Sequence, residues 1–138
     1  MRTISVFVVG LLLAVVLGGA PVSAYNGIEL SYASVGNFTL VDQNNSEYKL
    51  SDATEEIVVV SFFFTRCPDV CPVITQNLKL VHDTLPEELE DNVGFVAITL
   101  DPKYDTPEVL AEYMARHGVD WPHHTGTTEE VRDVWSRF

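Results

Sequence analysis

Ile57 to Pro72 reads IVVVSFFFTRCPDVCP, and it decides how the rest of the chain is read. Its first half, Ile57 to Phe64, is a continuous β-branched and aromatic run, the pattern of a strand buried on both faces in a parallel sheet. Its second half carries Cys67 and Cys71, the two cysteines of the chain, each followed by proline. Pro68 biases Cys67 towards an extended conformation, so the pair does not lie on one regular helix. Pro72 suits the first turn of a helix, where a missing N–H leaves nothing unpaired. The sequence predicts a helix from Pro72 to about Leu85, burying Val73, Ile74, Leu78 and Val81. A buried strand, a thiol-bearing turn and a helix therefore follow one another.

Outward from this stretch the pattern repeats. Val93 to Leu100, VGFVAITL, reads as a second buried strand ending at Asp101-Pro102. Asp105-Thr106-Pro107-Glu108 is a helix start, with Asp105 as its cap or dipole partner, and Val109, Leu110, Tyr113 and Met114 form the apolar stripe. His117-Gly118 closes that helix. On the N-terminal side, Asn37 to Val41 and Glu47 to Leu50 alternate polar with apolar residues around Asp42-Gln43-Asn44-Asn45-Ser46, a β-hairpin signature. Near the other end, Thr127 to Glu130 is a capping box, and Val131, Val134, Trp135 and Phe138 mark an amphipathic helix. That helix has no stop signal, and the sequence reads as cut short at Phe138. Glu87 to Asp91 reads as an acidic surface connection.

The fold class is α/β: an N-terminal hairpin and a central, mostly parallel sheet with flanking helices. In such sheets chemistry sits beyond the carboxyl ends of the strands, where the Cys67–Cys71 loop and Asp101 both fall.

Residues 1–24 read as a signal peptide or membrane anchor. Arg2 precedes an uncharged run from Ile4 to Leu17, and Pro21-Val22-Ser23-Ala24 offers a cleavage point. The uncharged stretch from Thr3 to Ile28 is also just long enough to cross a bilayer. Residues 25–36 read as a linker and 37–138 as the folded domain. Either reading places the domain outside the cytoplasm, in the periplasm or on the outer face of the membrane. All 20 Asp and Glu lie after Ile28, against all but one of the eight Lys and Arg, and no basic stripe offers itself to phosphates. That excludes a nucleic-acid partner.

An exported protein with two cysteines invites a structural disulfide. A five-residue loop gives that reading little force, since closing it gains only about 2 kcal/mol. Cys71 at a helix N-terminus, with Arg66 nearby, favours a thiolate, against which Asp69 acts. Two thiolates converging on a strand-to-helix turn suit reversible disulfide chemistry or a soft metal such as Cu(I).

FTRCPDVCP behind a buried strand, followed by ITLDPKYDTPEVLAEY, resembles the Sco/SenC family of copper-handling, thioredoxin-like proteins. The doubled Cys-Pro with three intervening residues is the specific part. Thioredoxins proper carry two residues between their cysteines, and thioredoxin-like peroxidases have Thr where this chain has Phe64. The resemblance runs from near Asn37 to the chain end. It implies a thioredoxin-like fold, incomplete at its C-terminus, and an exported or membrane-tethered copper chaperone for the copper centre of cytochrome c oxidase. The oxidase's copper-bearing subunit would be the partner. Cys67 and Cys71 would bind copper, as Cu(I) and with an added imidazole as Cu(II), or form a redox-active disulfide. The resemblance leaves open a thiol–disulfide oxidoreductase that readies the target's cysteines, served by a thiol reductant. An inactive truncated fragment is the third reading.

The family's third ligand is a histidine in a hairpin beyond the segment that ends here at Phe138. None of the four histidines here corresponds to it. His82 reads as a solvated helix position, His117 as a helix C-terminal residue beside the dipole, and His123-His124 as a polar loop or strand end whose paired imidazoles suit copper or zinc.

Overall fold

The computed structural model describes residues 34–138. The signal or anchor reading of residues 1–24, and most of the linker, lie outside them. Among the described residues no helix is long and apolar enough to cross a membrane.

Among the described residues ten elements follow one another. The hairpin is β1 (Thr39–Asp42) and β2 (Glu47–Lys49), followed by a 3-10 turn at Leu50–Asp52. Then come β3 (Ile57–Phe63), α1 (Val70–Asp83), α2 (Glu87–Glu90), β4 (Val93–Thr99), α3 (Pro107–His117), β5 (His123–Thr125) and α4 (Thr128–Trp135). The strands form one sheet in the order β2-β1-β5-β4-β3. β3, β4 and β5 run parallel, and the hairpin joins antiparallel through β1 against β5. The Asp42 carboxylate accepts the Asn44 and Ser46 backbone N–H groups, at 2.7 and 2.8 Å, which is the side-chain turn chemistry that Asp supplies.

Each face of the sheet carries a core. On one, α1 and α3 cover Phe63, Phe95, Ala97, Leu110, Tyr113, Met114 and Trp121, with both cysteines in the same cluster. On the other, α4 presses Val131 and Val134 onto Phe38, Leu40, Val96 and Ile98. Thr127 and Glu130 open α4 with the reciprocal capping box. Gly118 ends α3 at φ 65°, a conformation that only a residue without Cβ adopts freely.

Four expectations are corrected. β3 is not buried on both faces: it is an edge strand among the described residues, and of Ile57–Phe63 only Phe63 is buried. α1 opens at Val70 rather than Pro72, and its inward face is Cys71, Thr75 and Leu78. Val73, Ile74 and Val81 are exposed. The acidic connection contains the helical turn α2. In α4 the inward stripe is Val131 and Val134, while Trp135 and Phe138 are exposed, Phe138 standing edge-on to Phe62 at 5.3 Å.

β5 was legible only as a loop or strand end, yet it is a central strand with all three residues buried. Successive side chains on a strand point to opposite faces, so His123 and His124 cannot jointly hold one metal ion. His123 lies among Phe63, Tyr113 and Trp121, and its Nδ1 donates to the Trp121 carbonyl at 2.9 Å. His124 lies against Tyr48, its Nδ1 donating to the Ala97 carbonyl at 3.2 Å. Burial lowers both pKa values from 6.5 to about 4.

Between pH 6.5 and 4 the unfolded chain therefore binds protons that the folded chain refuses. Stability should be full above about pH 6.5 and fall towards pH 4, by up to about 3 kcal/mol for each histidine. Urea unfolding at pH 7 and pH 5 checks this, and His124→Gln should reduce the histidine part of the slope by about half. An unchanged slope would overturn the assignment.

Candidate functional site at the end of the central strands

The parallel register of β3 and β4 runs from Ile57 opposite Val93 to Phe63 opposite Thr99, and the Leu100 N–H extends it by donating to the Phe63 carbonyl at 2.7 Å. Both strands thus finish at one level. The cysteine loop leaves β3 beside the segment Asp101–Thr106 that leaves β4.

The turn from β3 into α1 is tight. The Cys67 N–H returns to the Phe64 carbonyl at 3.1 Å, and α1 begins three residues later. The first amides of a helix have no partner within it. Asp69 occupies the cap position, but its side chain makes no capping bond. The sulfur of Cys67 takes that place instead: the Cys71 N–H donates to it at 3.4 Å.

The two thiols consequently differ. Cys67 is lowered below the ordinary thiol pKa, first by the Cys71 thiol donating to it and then by the backbone N–H groups of Asp69, Cys71 and Val70. Cys71 is raised, first by burial and then by its bond to Cys67. The sequence expected the helix terminus to favour a thiolate at Cys71. The geometry corrects this: both thiols are buried in the cluster with Phe63 and Tyr113, but it is the Cys67 sulfur that accepts the Cys71 N–H at the start of α1. Beneath the pair, Thr75 and Tyr113 share a buried hydrogen bond of 2.9 Å between their hydroxyls. Both thiols are free.

Arg66 does not turn its charge to the cysteines. Its Nη2 donates to Asp101 Oδ2 at 2.6 Å, and its guanidinium lies 4.1 Å from the centre of the Tyr104 ring. Asp101 is thus the loop's ion-pair partner. Asp105 is corrected more sharply. Thr106, not Asp105, is the cap residue of α3, and Asp105 is completely buried. Its carboxylate accepts the Thr65 backbone N–H at 3.0 Å and the hydroxyls of Thr65 and Thr99. Thr65 and Thr99 escaped the sequence reading, since a threonine beside a strand end carries no signal until its partner is known.

The histidines stand apart from the sulfurs as candidate ligands. His82 is half-buried, against Phe95 and Trp121, rather than solvated. His117 ends α3 as expected, packs on the Tyr113 ring, and has its pKa lowered by burial. Among the described residues, no three His, Cys, Asp or Glu side chains are grouped so as to hold a metal ion.

A dithiol loop between a parallel strand and a helix, on a mixed sheet with helices on both faces, defines a thioredoxin-like domain. Residues 28–138 match the SCO1/SenC family, and the chain belongs to it. A SCO2-like protein of Rickettsia prowazekii is 34% identical over 103 residues, which cover 75% of this chain and 50% of the relative. The apo Sco1 protein of Thermus thermophilus superposes with a TM-score of 0.71 at 30% identity, over 81% of this chain and 64% of that one. The copper-bound ScoI of Bradyrhizobium japonicum gives 0.66 at 27% identity, over 74% and 64%. The chain spans about half the length of the Rickettsia relatives it matches.

Iodoacetamide at pH 7 should label Cys67 before Cys71 in the reduced protein, by up to about tenfold for each unit separating the two pKa values. The larger thiolate fraction at Cys67 is partly offset by the lower nucleophilicity of a less basic thiolate. Peptide mass spectrometry reads the order. Faster labelling of Cys71 would overturn the assignment of the thiolate.

Proposed function

We propose that this chain handles copper outside the cytoplasm, holding Cu(I) between Cys67 and Cys71 and passing it to the copper-bearing subunit of cytochrome c oxidase. The observation that carries the reading is the sulfur of Cys67 set at the open end of α1, accepting the Cys71 N–H at 3.4 Å, with both cysteines buried in one cluster. Membership of the SCO1/SenC family supports it, as does the copper bound to the related ScoI of Bradyrhizobium japonicum.

Two soft sulfurs suit Cu(I), which accepts two-coordinate thiolate binding. The helix amides and the Cys71 hydrogen bond stabilise one ligand in its binding form before the metal arrives. Cys71 must give up its proton on binding, so uptake releases a proton and strengthens as pH rises. With no third ligand grouped beside the sulfurs, the described residues fit Cu(I) better than Cu(II). Cargo held by two thiolates can leave by stepwise exchange, one sulfur at a time, onto thiol or imidazole ligands of the receiving site.

The difference between the thiols also favours a second reading, thiol–disulfide exchange. Cys67 as thiolate would attack a disulfide in the target, displacing one target thiolate and forming a mixed disulfide. Cys71, deprotonated, would then attack Cys67, releasing the second target thiol and leaving a Cys67–Cys71 disulfide for an external thiol reductant to open.

Anaerobic titration of the reduced full chain against a Cu(I) chelator tests the first reading. One Cu(I) per chain is expected, lost in Cys67→Ser and in Cys71→Ser. Retention of that stoichiometry in either variant, or no binding by the parent, would overturn it. Accumulation of a target mixed disulfide in Cys71→Ser, without copper binding by the parent, would favour exchange.

A further inference from the structure

We propose that Asp105 is a positioning residue for the cysteine pair, fixing the loop that carries Cys67 through Thr65. The inference rests on Cys67 and Cys71 being the working pair.

The carboxylate is an unusual object in this place. Asp105 has no exposed surface, and among the described residues no cation pairs with it: Arg66, in the cysteine loop, is taken by Asp101. Burying a carboxylate is unfavourable unless its oxygens are well supplied with donors. Here they are. Oδ2 accepts the Thr65 N–H at 3.0 Å and the Thr99 hydroxyl, and Oδ1 accepts the Thr65 hydroxyl. A role in capping α3 does not account for the residue, because Thr106 holds that position.

What the three bonds accomplish is local. Thr65 lies two residues before Cys67, and both of its donors are held from the β4 side of the sheet. The Thr99 hydroxyl that reaches Asp105 also accepts the Asp101 N–H at 3.0 Å, so the two loops share one polar knot. The Cys67 N–H is itself tied back to Phe64. Phe64 to Cys67 is therefore pinned at both ends, and the Cys67 sulfur stays within 3.4 Å of the Cys71 N–H. A loop freed from Asp105 would let that sulfur drift from the helix amides. Groups that hold a ligand in place typically change metal affinity about 10–100-fold when removed.

The test compares Asp105→Asn, Thr65→Val and Thr65→Ser with the parent in the full reduced chain. Val134→Ala, in the opposite core, serves as a control that destabilises without touching the loop. The readouts are the ratio of Cys67 to Cys71 alkylation rates at one pH, the disulfide equilibrium constant in glutathione buffers, and Cu(I) affinity. Asp105→Asn and Thr65→Val should lower the alkylation ratio and shift the equilibrium constant by about tenfold, with a loss of about 10–100-fold in Cu(I) affinity. Thr65→Ser, which keeps both donors, should behave as the parent, and so should Val134→Ala. A parent-like ratio and equilibrium constant in Asp105→Asn, with only thermal stability reduced, would overturn the proposal. Should Asp105→Asn fail to fold, the same parent-like values in Thr65→Val would overturn it. Absence of Cu(I) binding by the parent would defeat the copper reading alone, since the alkylation and glutathione measurements decide the positioning role without copper.

Discussion

The parallel pairing of β3 with β4 is the constraint on which the rest depends. Seven residues of each strand pair in register, from Ile57–Val93 to Phe63–Thr99, and the two strands end together. Whatever follows each strand must then share one small volume at the carboxyl edge. For β3 that is Thr65, Arg66 and Cys67. For β4 it is Asp101 and Asp105. Two ties bridge them, Arg66 with Asp101 and Thr65 with Asp105. A slip of one residue in the register would reverse the faces of every side chain and dissolve both ties, because side-chain direction alternates along a strand.

The same arrangement makes two chemically identical side chains unequal. A helix offers unpaired amides at its first turn, and whichever sulfur meets them is stabilised as an anion. Both cysteines lie in the core cluster with Phe63 and Tyr113, but Cys67 precedes α1 and its sulfur accepts a first-turn amide, that of Cys71, which is already inside the helix. Hydrogen bonding lowers one pKa and desolvation raises the other. Neither direction follows from the spacing of the cysteines.

Much of the scaffold was legible in the sequence because its signals are local. The hairpin, the two long strands, α3 with its proline and glycine boundaries, and the capping box of α4 all depend on periodicity and turn chemistry within a few residues. The failures share a cause as well. β3 is as apolar as a strand covered on both faces, yet it lies at the sheet edge of the described residues. α1 has apolar residues around much of its circumference, and the side that packs inward carries Cys71, Thr75 and Leu78, which leaves Val73, Ile74 and Val81 exposed. A pattern without contrast does not say which side faces inward.

The sequence by itself determined the order of elements, the strand-loop-helix carrying Cys67 and Cys71, and enough of the motif to identify the family. Those properties lie in residues close together along the chain. Only the tertiary structure decided that Cys67 rather than Cys71 meets the helix amides, and that His123 and His124 face opposite cores. It alone brought Asp105 to Thr65 across 40 positions of sequence. These are contacts between distant segments, set by sheet register and core packing, and no local pattern encodes a partner that arrives from another strand.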